Sequence, residues 1–360
     1  MIVAYVSGHG FGHGTRVGEV LRLVRELRPS LPITVVTSGP EWLYREAIPG
    51  DFGFRSLECD VGLAQKDALV IDEEATLRRC LAFQAGFDDR VADEAAFLQE
   101  AGAQVVLGDV PPLAFAAAAA AGIDSIALAN FSWDWIYAHL AARHGGLRAI
   151  AEAAADCYRT AGLLLQLPFA GDLSAFPRRE PIPLVARRPR LTRRQARDLL
   201  GEDDAPLVLL SFGGLGMPGL DLRALADLGG YRFITAGDGA ALPSNVRAIT
   251  GAGLSAQGLG YQDLVGASDV VVTKPGYGIV SDAIGAGTRL VYTDRGDFPE
   301  YPILVAEMRG YLPCEYVSSV DLRAGRLGPA LATVLEAPRP APPDLGGAGR
   351  AAARLLEAVG

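Results

Sequence analysis

Short apolar runs of strand length recur along the chain, and most are separated by stretches with helical periodicity. They are Ile2–Val6, Ile33–Thr37, Val105–Leu107 and Ser125–Leu128 in the first half, then Leu207–Ser211, Arg232–Thr235, Val270–Thr273 and Arg289–Tyr292 in the second. Thr15–Arg28 and Glu73–Glu100 are two of the helical stretches between them. Apolar strands alternating with helices imply parallel sheets with helices on both faces, linked by right-handed crossovers. The rhythm breaks between about Ala170 and Pro206, where Pro168, Pro177, Pro181, Pro183 and Pro189 punctuate an arginine-rich stretch. Prolines at that density mark a linker. At 360 residues the chain is long for one core and suits two. The expected architecture is α/β, with two Rossmann-like domains whose parallel sheets face across a cleft. The first domain spans 1–170, a linker 171–190 and the second domain 191–340, and a C-terminal helix lies in 341–360, from Gly349 to Val359.

Charge and cysteine usage narrow the function classes. A formal net charge of −9 argues against nucleic acid or another polyanion as the main partner. Cys59, Cys80, Cys157 and Cys314 lie far apart without metal-like spacing, so buried free thiols are expected. Met1 leads directly into an apolar strand rather than a charged n-region, which gives a cytoplasmic expectation. The longest apolar run, Leu113–Ala129, is interrupted by Gly122 and Asp124 and reads as a helix followed by a strand, not a membrane span.

The segment Ser7-Gly8-His9-Gly10-Phe11-Gly12-His13-Gly14 closes the first strand. Glycines there let the backbone turn sharply and let a ligand approach a helix N-terminus, whose amides favour negative charge. The register is not that of a dinucleotide fingerprint, and no P-loop lysine motif occurs. Two of the chain's four histidines sit in this segment. At the C-terminal end of a strand they stand where open α/β sheets bind ligands, and an imidazole can take a proton from an alcohol near neutral pH. His13 is the first candidate base; His9 is either a partner or a residue that shapes the turn. A base of this kind needs an orienting carboxylate. Asp109, after the strand Val105–Leu107, fits, and so does a second reading in which it caps the helix beginning near Pro111-Pro112. Asp134, within Asn130-Phe131-Ser132-Trp133-Asp134-Trp135, is the other carboxylate, and its two tryptophans form either a sugar-facing wall or core.

The second half repeats the strand-then-glycine pattern at Gly213 and Gly214 and again at Thr273-Lys274-Pro275-Gly276-Tyr277-Gly278-Ile279-Val280-Ser281-Asp282. Amides of the second turn can hold a diphosphate, with Ser281 donating a hydrogen bond and Lys274 adding charge. Asp297 and Glu300, on the loop after the next strand, are placed to accept hydrogen bonds from sugar hydroxyls. Three such turns in opposed lobes suit a ligand that bridges both halves.

These motifs, with the two-lobed layout, resemble the GT-B superfamily of nucleotide-sugar glycosyltransferases. The nearest likeness is to the glycosyltransferase-like N-terminal half of plant L-arabinokinase and its stand-alone bacterial relatives, through Ser7–Val17, Asp109–Tyr137 and Lys274–Met308. The resemblance implies an inverting, metal-independent transferase without a cofactor, moving a hexosyl or pentosyl group from an NDP-sugar co-substrate, UDP favoured, to an acceptor hydroxyl. His13, preceded by Gly12, takes the place of the base and Asp109 that of its orienting aspartate. In the family's donor signature Lys274 replaces a histidine, Gly276 keeps a glycine, and Asp282 replaces the glutamate that faces the ribose. Tyr277, Gly278 and Ser281 lie within that signature, Glu300 stands near the pair that meets the sugar, and Tyr261 and Gln262 are placed to contact the base. No sugar-kinase phosphate loop is present, so kinase activity is not implied. The alternatives are a GT-B epimerase or hydrolase, which needs acids at the reacting carbon, and a non-catalytic sugar-nucleotide binder. The basic stretch Arg187–Arg197 reads as a solvated linker and helix, or as a contact for anionic lipid or an acidic acceptor.

Overall fold

The computed structural model of the protein describes residues 1–66, 70–213, 217, 219–237 and 241–360. The first half runs β1 (Ile2–Val6), α1 (Phe11–Leu27), β2 (Ile33–Thr37), α2 (Glu41–Ala47), β3 (Gly53–Ser56), α3 (Glu73–Ala85), α4 (Phe87–Glu100), β4 (Val105–Asp109), α5 (Pro112–Ala121), β5 (Asp124–Ala129), α6 (Trp133–Ala141), α7 (Leu147–Arg159), β6 (Leu163–Gln166) and β7 (Arg179–Pro181). The second runs α8 (Arg193–Leu200), β8 (Leu207–Ser211), a 3-10 turn at Leu222–Asp227, β9 (Arg232–Ala236), β10 (Val246–Ile249), α9 (Gly251–Ala256), α10 (Tyr261–Ala267) and β11 (Val270–Thr273). It ends with α11 (Tyr277–Ala286), β12 (Arg289–Tyr292), α12 (Glu300–Met308), β13 (Cys314–Tyr316), α13 (Ser319–Arg323), α14 (Gly328–Glu336) and α15 (Gly347–Val359).

The strands form two wholly parallel sheets, β3-β2-β1-β4-β5-β6-β7 and β10-β9-β8-β11-β12-β13. Each starts in its middle, grows to one edge and then reverses. The reversal falls between β1 and β4 in the first sheet and between β8 and β11 in the second. Loops at the C-terminal ends of those strands diverge and leave a crevice, which is where ligands bind in such sheets. The central strands are buried on both faces, as their continuous Val, Ile and Leu content requires.

Local signals start and stop many of the helices. Thr192 and Gln195 form a reciprocal capping box on α8, and left-handed Gly122 ends α5. Glu73–Glu100 is not one helix but two, broken at Gly86. The stretch 171–190, read as linker, contains β7, which pairs with β6 as an edge of the first sheet. The terminal helix α15 packs back on α1: Ala351 and Leu355 join Val17, Val20 and Leu21 of α1 and Val280 of α11 in one apolar cluster shared by both lobes. Separate clusters cover the outer face of each sheet.

Candidate active site

The chain leaves β1 at Val6, turns through Ser7–Gly10 and enters α1 at Phe11, four residues before the expected start at Thr15. Gly10 is the N-cap at φ 77°, a left-handed conformation that favours glycine. The helix therefore holds Gly12, His13 and Gly14 in its first turn, because packing of Gly14 against Leu43 and Tyr44 outweighs the poor helix propensity of glycine. This fixes His13 on a helix rather than on a loop.

His13 Nδ1 lies 2.8 Å from Asp109 Oδ1, with Asp109 fully buried as the last residue of β4. Asp109 ends β4 and His13 lies in the first turn of the helix that follows β1, so the pair sits at the switch point between those strands. Helix α5 is capped by Pro111 without a side-chain hydrogen bond, so Asp109 is not its cap. A carboxylate accepts only, so Nδ1 carries the proton and donates. Nε2 bonds to none of the described residues and is not a buried orphan, so its lone pair faces solvent.

Arg16, one turn along α1, was not singled out by sequence and is central here. Its Nε and Nη2 each lie 2.5 Å from the two Asp109 oxygens, and Nη1 donates to Asn130 Oδ1 at 2.7 Å. Burial alone would raise the Asp109 carboxyl, but the charges of Arg16 and then His13 hold it below the ordinary carboxylate value. Asn130, also buried, donates Nδ2 to Glu300 Oε1 at 2.6 Å across the cleft, and Arg295 Nη1 meets the other Glu300 oxygen at 2.6 Å. A continuous polar chain thus joins His13 to α12 of the second lobe.

His9 is not part of this pair. Its Nε2 is 3.7 Å from Asp60 Oδ1 and its ring stands edge-on to Trp133. Burial lowers its pKa below the ordinary imidazole value, against the opposing charge of Asp60. Asp60 also accepts from Ser7 Oγ at 3.2 Å and Trp133 Nε1 at 2.7 Å, so it organises the turn. Trp133 is buried and stacks on Tyr137, which makes it core rather than an open wall, and Trp135 packs over Gly171. Asp134 pairs with neither histidine; burial raises its carboxyl, and Oδ1 has no hydrogen-bond partner.

On the opposite lobe Lys274 follows β11, and Gly276, which has no side chain to offer, is the N-cap of α11. Several expected donor contacts are engaged within the chain instead. Ser281 Oγ donates to the Gly278 carbonyl at 2.9 Å, and Asp282 is ion-paired with Arg187. Tyr277 packs under the Arg16 guanidinium at 5.0 Å, with its hydroxyl accepting from Val185 N at 3.3 Å. Tyr261 opens α10 and shares a hydrogen bond with Ser211, with Gln262 beside it. Asp297 is held by His139 at 3.0 Å and Arg143 at 2.6 Å of the first lobe. Glu300 has both oxygens occupied, as described. Gly213 is exposed at φ 72°, and Gly214 lies outside the described residues. Much of the basic stretch is ion-paired within the chain, though partly exposed: Arg190 pairs with Asp263, Arg193 and Arg197 with Asp269, and Arg194 with Asp198.

The two helix starts meet. A Cβ added to Gly278 would lie 2.8 Å from Gly12 Cα, backbone against backbone. Gly278→Ala is therefore expected to push the lobes apart and to cost about 1–3 kcal/mol, read from the urea midpoint. Gly276→Ala, whose Cβ would meet only Arg295 at 3.6 Å or beyond, is the tolerated control.

Two parallel sheets of this order, facing across a site built at both switch points, define the GT-B architecture. The chain superposes over 100% of its length on 95% of the glycotransferase of kitacinnamycin, with TM-score 0.60 and 17% identity. It superposes over 99% of its length on 93% of a UDP-glucosyltransferase from Polygonum tinctorium, with TM-score 0.59 and 14% identity. In sequence it is 32% identical over 333 residues, 91% of the chain, to L-arabinokinase of Arabidopsis thaliana. It spans about a third of that relative's length (31%). No family model matches the chain. Among the described residues no group of three or more His, Cys, Asp or Glu is arranged to hold a metal ion, and no helix is long and apolar enough to cross a membrane.

Proposed function

We propose that the protein is an inverting, metal-independent glycosyltransferase that moves a hexosyl or pentosyl group from an NDP-sugar to an acceptor hydroxyl. The observation that carries this is the buried His13–Asp109 pair at one switch point, set against the start of α11 at the other. Asp109 fixes the Nδ1–H tautomer, which leaves Nε2 as a base. The acceptor O–H gives its proton to Nε2, and its oxygen bonds to the anomeric carbon. The bond from that carbon to the diphosphate breaks, and the nucleoside diphosphate leaves with the electron pair.

The amides of α11 and the charge of Lys274 receive the diphosphate, as helix starts do. Asp282 faces the ribose, Tyr261 and Gln262 the base, and Asp297 and Glu300 the sugar hydroxyls. Donor entry then exchanges partners at the ribose: Asp282 leaves Arg187, while each Glu300 oxygen, able to accept a second hydrogen bond, keeps Asn130 or Arg295. A UDP-sugar is favoured because solved structures of this fold are named for UDP donors. Glu300, the acid assigned to the sugar, is held in an ion pair with Arg295 rather than free to act as an acid, which favours the histidine route over an epimerase or hydrolase. The kinase reaction in the relative's name is not carried over, since the chain corresponds to about a third of it.

Thermal-shift titration with UDP, other nucleoside diphosphates and their sugars tests the donor site. A true ligand at a hundred times its Kd should stabilise the fold by about 2.7 kcal/mol. If none of them raises Tm, the donor site is wrong.

A further inference from the structure

Arg16 is 3% exposed, and every polar contact it makes is inside the cleft. A buried guanidinium is retained only where its hydrogen bonds are met, and here they are met by groups of the first lobe, with a ring of the second lobe against its face. Two N–H bonds go to Asp109 and one to Asn130, and the guanidinium plane lies over Tyr277. Its Nη2 also approaches His13 Nδ1 at 3.2 Å. Since Nδ1 already donates to Asp109, that approach is a charge beside the imidazole, not a hydrogen bond.

We propose that Arg16 is a positioning residue of the base: it clamps both oxygens of Asp109 in one fork, fixes the carboxylate oxygen that meets His13, and ties the pair to the donor lobe through Asn130 and Glu300. The inference rests on His13 being the base of the reaction above. The clamp does two things. It removes the freedom of Asp109 to rotate, so the imidazole has one orientation. It also sets a positive charge beside the imidazole, opposing the field of Asp109 there. The charged and titratable groups that face the pair are Arg16, His9, Tyr44 and Tyr277, with Glu300 and its partner Arg295 beyond Asn130. Arg16 is the permanent positive charge in direct contact with Asp109.

The test is NMR of the histidine rings in the full chain, where four histidines make assignment tractable and the signal missing in His13→Gln identifies His13. In Arg16→Gln the pH at which the His13 signal changes should move up by about one unit or more, a tenfold rise in proton affinity or greater. Arg16→Lys keeps the charge but not the fork. It should titrate closer to wild type, yet show kcat reduced by about tenfold or more with the donor KM little changed, the signature of a misplaced base. A folded Arg16→Gln that titrates like wild type overturns the proposal. Should Arg16→Gln not fold, Arg16→Lys with wild-type titration and wild-type kcat overturns it. Absence of turnover by the wild type counts against the transferase reading instead, and leaves the titration result to decide the role of Arg16.

Discussion

Transfer by His13→Ala is expected to fall by about 10²–10⁴-fold while donor affinity stays close to wild type, the range for loss of a general base. Removing Nε2 takes away the proton acceptor but leaves the α11 amides, Lys274 and Asp282 where they are, in the other lobe. The measurement is kcat/KM for transfer beside donor affinity by thermal shift. Undiminished transfer would show that the base lies elsewhere, with His9 next to test. Equal loss of donor binding would mean that His13 holds the lobes together rather than acting on the acceptor.

The largest effect on stability is expected at Asp109. Asp109→Ala strands the buried Arg16 guanidinium without its counter-charge and leaves His13 Nδ1 unpaired. Breaking a buried pair from one side costs about 3–5 kcal/mol, and the urea midpoint should drop accordingly. A second substitution, Arg16→Met in the same chain, should recover part of the loss, since removing both charges is far cheaper than removing one. Additive losses would mean that the two residues do not act as a pair. The pH dependence follows from the same contact. Asp109 is held below its ordinary value in the fold, so the unfolded chain binds its proton more tightly. Its contribution is complete above the unfolded carboxylate pKa of about 3.9 and is lost as pH falls through the lower, folded value. Wild type should therefore lose stability on acidification more steeply than Asp109→Ala.

The central strands were legible because a strand buried on both faces is a continuous apolar run, as in β1, β4 and β11. Edge strands carry no such run. β3 is largely exposed, β7 is three residues ending in proline, and β13 is three residues at the far edge, so none stands out from a loop. The glycines before Thr15 read as a turn in sequence, whereas contacts with α2 and α11 hold Gly12 and Gly14 in the helix. Within the site, His13 and Asp109 were visible as rare chemistry at strand ends. Arg16 was hidden as one arginine among many on an amphipathic helix, and Asn130 as a neutral residue that closes a strand.

By itself the sequence determined two parallel sheets and the switch-point loops, and offered His13 with Asp109 as candidates, because these follow from local periodicity and from chemistry at strand ends. Only the tertiary structure decided that His9 belongs with Asp60 and Trp133. It also decided that Asp282 and Glu300 are held by Arg187, Asn130 and Arg295. Those pairings join residues up to 170 positions apart. Which distant partner a buried charge finds depends on how the lobes pack, and no local pattern records that.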